Sequence, residues 1–253
     1  MNSNFSMYMI THKDVDFVPN GRIPLFVGNG ENKHNWLRDN LGDNIASKNP
    51  NYCELTALYY LWKNDKTDDY LSIEHYRRFF KEPYRPTVIS KDKILTYLQK
   101  YDIVTTQYYN FGETINEYYS HHHIEDDMVK VEKVIEKKYP EYIPALNTVL
   151  TNNFSAACNM IATSKEKFDE YCKWLFDILF SVESEIDIIN RDDYQKRVFG
   201  FLSERLQNVW IIQNELTIKA LPLYMKQESK VRTLIDNTKL ELHNDKATPK
   251  EWF

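Results

Sequence analysis

The segment Glu74-His75-Tyr76-Arg77-Arg78, followed closely by Lys81 and Arg85, is the densest concentration of charge and titratable chemistry in the chain. Read as a strand, it sends His75 and Arg77 to one face and Glu74, Tyr76 and Arg78 to the other. Adjacent arginines are costly to bury without anions, and the guanidinium fork matches the oxygens of a diphosphate. The plainer alternative is an edge strand with solvated arginines paired to Asp68 and Asp69. A second group runs from Gly42-Asp43-Asn44 to Asn49-Pro50-Asn51-Tyr52-Cys53-Glu54. It precedes a helix whose N-terminus favours anions, although Asn51 and Glu54 equally compose an ordinary cap. In a third group, Arg197, Gly200, Glu204 and Arg205, the last falls on an apolar helix face with Val198, Phe201, Leu202, Leu206 and Val209. A charge there needs a partner or a ligand. Glu204 beside it is a candidate general base, or half of an ion pair that only holds the helix.

His121-His122-His123 invites a metal reading, but three consecutive side chains cannot converge on one ion and no second ligand set has a recognised spacing. A single functional histidine, His123 with Asp127 one helical turn on, fits better. Asp14-Val15-Asp16 matches the metal-binding Asp-x-Asp pattern but follows the first strand, where a two-residue match is a decoy. No P-loop, G-x-G-x-x-G, G-x-S-x-G or metal-spaced Cys/His set is present, which counts against kinase, dehydrogenase and serine hydrolase chemistry.

The elements that must position these groups alternate. Strand-like runs at 7–10, 25–27, 70–80, 102–106, 156–162 and 216–224 are interleaved with helical spacing around 51–62, 90–98, 113–150, 163–179 and 193–210. Pro140 and Pro144 break the long third helical stretch, Ser90 starts the second, and Thr163 with Glu166 reads as a capping box. This alternation predicts an α/β fold with a mainly parallel sheet covered on both faces, in which ligands bind beyond the carboxyl ends of strands. Thr11–Lys13 and Glu74–Arg78 stand at such ends.

With 253 residues, 42% hydrophobic, the chain is expected to form one domain over 1–226, followed by a polar tail over 227–253. A net charge of −5 gives no pull toward nucleic acid. Cys53, Cys158 and Cys172 sit in apolar runs and read as reduced, buried thiols. No secretion signal opens the sequence and no apolar run spans a bilayer, so a cytoplasmic protein is expected. Lys226, Lys230 and Arg232, with Trp252 and Phe253, suggest peripheral contact with the inner membrane face.

Several blocks together resemble a family of bacterial capsular and exopolysaccharide biosynthesis proteins, domain of unknown function 4422, some of whose members are β-galactofuranosyltransferases. The matching blocks begin with Met9-Ile10-Thr11-His12-Lys13, Val27-Gly28, Gly42-Asp43-Asn44-Ile45 and Lys48-Asn49. They continue through Tyr52-Cys53-Glu54-Leu55-Thr56-Ala57-Leu58-Tyr59, Trp62-Lys63-Asn64, His75-Tyr76-Arg77-Arg78-Phe79-Phe80, Asn159-Met160, and Arg197 with Gly200-Phe201 and Glu204-Arg205-Leu206. They run in family order over 7 to about 212, and the Cys-Glu-Leu-Thr-Ala-Leu and His-Tyr-Arg-Arg blocks are the specific ones.

The resemblance implies a GT-A-like glycosyltransferase using a UDP-sugar, UDP-galactofuranose or UDP-galactose, and a lipid-linked oligosaccharide acceptor. On this reading Thr11, His12 and Lys13 line the nucleotide pocket, and Asp43, Asn44 and Glu54 hold donor sugar and phosphates. His75, Arg77 and Arg78 stabilise the leaving diphosphate. Asn159, His123 and Arg205 face the acceptor, and Glu204 is the base of an inverting transfer. Where such enzymes carry a metal-binding Asp-x-Asp, this chain has Glu74-His75-Tyr76-Arg77. A need for Mn or Mg is therefore open, and arginines are candidates to replace the cation. A retaining transferase of the same fold, or a non-catalytic carbohydrate-binding or assembly protein, are the rival expectations.

Overall fold

The structure is a computed structural model, and residues 3–66 and 68–226 are described. The expected tail over 227–253, with its membrane-contact residues beyond Lys226, lies outside the described residues.

The first strand, β1 (Phe5–Thr11), is buried along almost its whole length, as expected for a strand covered on both faces. Tyr8 and Ile10 enter the larger core, while Phe5 and Met7 pack on the opposite side. Beside β1 lie β2 (Arg22–Phe26) and β3 (Leu37–Arg38), both parallel to their neighbours. A short helical turn, α1 (Asn49–Tyr52), leads into α2 (Leu55–Asn64). Then come β4 (Tyr70–His75), parallel to β1, and β5 (Arg78–Phe80). Helix α3 (Lys91–Leu98) precedes β6 (Ile103–Thr106) and the short β7 (Tyr109–Asn110).

A helical run follows: α4 (Ile115–His122), α5 (Glu125–Lys138) and α6 (Ile143–Thr151). The chain ends its described part with β8 (Phe154–Ser155), β9 (Ile161–Ser164), α7 (Lys165–Glu183), α8 (Val198–Gln213), β10 (Ile218–Leu221) and β11 (Leu223–Met225). The main sheet has the order β10-β6-β9-β4-β1-β2-β3, with β5 and β11 attached beside β4. It is mostly parallel, and β9 alone on that path runs antiparallel to both its neighbours, β4 and β6. Helices α2, α7 and α8 contribute to the large core on one face, and Ile94 and Leu98 of α3 pack on the other. The expected α/β single-domain fold with a mainly parallel sheet is therefore what forms.

The expected single strand over 70–80 is broken. Tyr76 and Arg77 make a turn, and β5 folds back so that Arg78 pairs with His75. Glu74 is not part of an exposed charged face either: it is buried and holds Arg22 through two hydrogen bonds, 2.7 and 3.2 Å long. Several boundaries move as well. Ser164, not Thr163, caps α7 by accepting from Lys167 N–H. Asn51 lies inside α1 and donates to Lys196 O instead of capping α2. The strand expected over 156–162 begins at Ile161, and Pro222 divides β10 from β11. Proline has no N–H to continue a ladder.

Candidate active site

Parallel pairing brings three strand ends to one edge. Ile10 lies opposite His75 and Thr11 opposite Phe26, and Val27 N–H donates to Thr11 O over 2.8 Å. Because β9 is reversed, the loop entering it, with Cys158 and Asn159, reaches the same edge. The start of α2 and the first turns of α8 close the far side. Between them is a cleft of about 400 Å³ lined by Thr11, His12, Glu54, His75, Arg77, Arg78, Cys158, Arg197 and Glu204, among others. Strand ends, helix starts and opposite charges thus converge in the crevice where open α/β sheets bind ligands.

The cationic wall is built around Tyr76, which is buried. Arg77 lies over its ring at 5.1 Å, Lys13 at 5.4 Å, and His12 meets it edge-on at 5.3 Å. Stacking on an aromatic face fixes such side chains and their charge. The field they create shows in the histidines. Burial, reinforced by Lys13, Arg77 and Arg197, lowers the pKa of His12. Burial, with Arg78 first among the cations, pushes His75 down to about 3, against an opposing pull from Glu204. His75 is therefore a neutral imidazole at physiological pH, and its Nε2 is buried with no protein partner.

Two carboxylates face these cations. Glu204 Oε1 accepts the Cys158 backbone N–H at 2.9 Å and its Oε2 accepts from Arg205 Nη1 at 3.1 Å. Glu54 Oε1 accepts from Asn159 Nδ2 at 2.7 Å, and burial raises its pKa despite that hydrogen bond and nearby Arg197 and Arg78. Cys158 and Asn159 adopt positive φ angles of 80° and 49°. This backbone is rare for side-chain-bearing residues; here it accompanies the Cys158 N–H held on Glu204 and the Asn159 side-chain amide held on Glu54. Arg197 Nε approaches Cys53 Sγ at 3.3 Å, and burial pushes the thiols of Cys53 and Cys158 up to about 11 and about 12. Cys172 is fully buried, whereas Cys53 and Cys158 border the cleft and are only partly covered.

Not every expected residue reaches the cleft. Asp43 and Asn44 do not line it: Asp43 accepts from Tyr59 Oη and Asn44 donates to Gly42 O, so both shape the loop before α1. Asn159 has its amide shared between Glu54 and Gly200 O, while Ser203 donates to its Oδ1. Buried and absent from the cleft lining, it positions Glu54 instead of facing an acceptor. Arg205 sits behind Glu204, donates to Phe201 O and covers the Tyr119 ring at 5.3 Å, so its apolar-face charge is answered internally. His123 does not pair with Asp127, which is buried in an ion pair with Arg191. Its ring instead stacks on Phe201 at 4.0 Å. The Asp14 decoy accepts from Lys33 N–H. Sequence reasoning missed Tyr76 as the platform and the Cys158 N–H as the Glu204 anchor. A left-handed backbone without glycine leaves no signal in the sequence.

A model of the family described as Domain of unknown function (DUF4422) matches residues 6–215. Among solved structures, the chain is similar to an apo structure of WbbM, a bifunctional glycosyltransferase, at 31% identity and a TM-score of 0.79. The alignment covers 90% of this chain but 46% of that one, so the chain spans less than half of WbbM. No curated protein matches the chain. On the extent of the family match, the chain belongs to the DUF4422 family.

Proposed function

We propose that this chain is a glycosyltransferase that moves a sugar, galactofuranose or galactose, from a UDP-sugar onto a growing surface-polysaccharide acceptor, with inversion. The observation that carries this reading is the meeting of Arg77, Arg78 and Arg197 with Glu54 and Glu204 in one cleft at strand ends. The similarity to a bifunctional glycosyltransferase supports it. The GT-A-like architecture belongs to the same proposal.

In this reading the acceptor hydroxyl oxygen attacks the anomeric carbon as the bond to the diphosphate oxygen breaks. The hydroxyl proton passes to Glu204, and UDP departs with the bonding electron pair. Charge growing on the diphosphate meets Arg77, Arg78 and Arg197, an arrangement fixed before reaction and therefore free of reorganisation cost. Thr11, His12 and Lys13 border the nucleotide, and the unpartnered His75 Nε2 faces donor oxygens. Among the described residues no group of three or more His, Cys, Asp or Glu could hold a metal ion. Glu54 and Glu204 each have one oxygen held by an amide donor, and in the proposal the arginines take the part a cation would play at the diphosphate. No described helix is long and apolar enough to cross a membrane. The lipid-linked acceptor and peripheral membrane contact are part of the proposal. A donor screen with several UDP-sugars, with and without EDTA, tests it. Transfer that survives EDTA is expected, and no turnover of any UDP-sugar would overturn the reading.

A further inference from the structure

Beside the cleft, three rings are held in a fixed cluster that the chemistry above does not use. Phe201 stands three residues before Glu204 on α8, so the two side chains are neighbours on one helix face. Arg197, which lines the cleft, lies over the Phe201 ring at 5.5 Å. Beyond Phe201 the cluster continues to His123, at 4.0 Å and 27°, and to Tyr194, at 5.0 Å and 41°. Tyr194 also stacks with His123 at 5.8 Å and 17°. Gln195 Nε2 donates to His122 O at 2.8 Å and ties this segment to the end of α4.

Tyr194 is 51% exposed although it is large and aromatic. An aromatic ring left open on a braced segment gives up burial that would otherwise stabilise the fold. The rim is polar, with His122 and Asp193 exposed next to it. An open aromatic ring, backed by stacked rings and flanked by hydrogen-bonding groups, suits a pyranose or furanose ring, whose C–H face is apolar and whose hydroxyls point outward. A protein partner would require a larger apolar area. Distance favours the same occupant. One helical turn advances about 5.4 Å, close to the length of one sugar unit, so a chain whose terminal hydroxyl meets Glu204 sets its next ring beside Phe201 and Tyr194.

We propose that Tyr194, Phe201 and His123 form the subsite that seats the second sugar ring of the acceptor, making this chain selective for acceptors of at least two sugars. The proposal rests on the transferase reading above. It is tested with octyl glycosides carrying one or two hexoses of galactose, glucose or mannose, assayed with wild type, Tyr194→Ala, Tyr194→Trp and Phe201→Leu, while UDP affinity is followed by calorimetry. Wild type should show an acceptor KM on the order of tenfold lower for at least one disaccharide than for the monosaccharide with the same terminal sugar, about what one well-placed ring contributes. Tyr194→Ala and Phe201→Leu should lose that advantage, Tyr194→Trp should keep it, and UDP affinity should stay unchanged in both Tyr194 variants. An advantage that persists in Tyr194→Ala, or a wild type that binds UDP and shows no advantage anywhere in the panel, overturns the subsite. A wild type that does not bind UDP overturns the transferase reading instead.

Discussion

Asn159 donates its side-chain amide to Glu54 over 2.7 Å, a hydrogen bond spanning 105 positions of sequence. It joins the loop entering β9 to the start of α2 across the wall of the cleft. Replacing Asn159 with Ala leaves Glu54 half-buried without its amide donor, which should cost about 1–3 kcal/mol of stability. Turnover should fall with it, and Asn159→Asp should be worse because a second carboxylate then faces Glu54. Denaturant unfolding of the two variants checks the order, and equal stability of wild type and Asn159→Asp would contradict it.

Arg22 and Glu74 form a buried ion pair at 2.7 Å, and Glu74 Oε1 also accepts from Phe80 N–H. Removing one partner strands the other charge. Arg22→Met is expected to destabilise the protein by about 3–5 kcal/mol, whereas the double replacement Arg22→Met with Glu74→Leu should recover much of that loss. A thermal-melt comparison of single and double variants reads the difference.

Gly28 sits at φ 74°, and a Cβ placed there would meet Asn49 Oδ1 at 2.7 Å. Gly28→Ala therefore combines backbone strain with a collision against a residue of the cleft wall. A loss of about 1–2 kcal/mol in unfolding free energy is expected. UDP affinity should fall as well, because Asn49 must move.

His75 gives a pH signature. Its folded-state pKa is pushed down to about 3, while the unfolded chain keeps the ordinary value near 6.5. As pH falls below that ordinary value the unfolded state takes up a proton that the folded state refuses, so stability present at neutral pH is lost progressively toward about pH 3. By pH 5 the loss attributable to His75 should reach about 2 kcal/mol. His75→Gln should melt with a shallower dependence between pH 7 and pH 5. Since Glu54 is common to both proteins, its opposite contribution cancels in the comparison.

The two carboxylates can be separated by kinetics. Glu204→Gln should abolish transfer, lowering kcat by about a hundredfold or more, with UDP affinity nearly intact. Glu54→Gln should raise donor KM and leave residual turnover. A steeper loss of kcat in Glu54→Gln would move the base to Glu54, whose pKa is raised by burial.

The layered fold was readable because its signals are periodic. Burial along β1, the Ser90 cap, and the proline breaks after α5 all follow from local residue types. The charged blocks at strand ends were equally visible, and Thr11, His12, His75, Arg77, Arg78, Glu54 and Glu204 do meet in one cleft. What the sequence concealed was tertiary. The turn at Tyr76–Arg77 has no glycine or proline to announce it, and nothing local shows that Arg205 would be spent on Phe201 O and Glu204 or Asn159 on Glu54. Likewise Asp43 and Asn44 carry donor-binding chemistry by type, but Tyr59 and Gly42 claim them.

The most direct test is calorimetric titration of UDP into wild type, Arg77→Ala and Arg78→Ala. Wild type should bind UDP, and each substitution should weaken binding by about ten- to a hundredfold, the usual worth of a hydrogen bond to a charged group. Equal affinity in all three proteins, or no UDP binding by wild type, would contradict a diphosphate site built on these arginines.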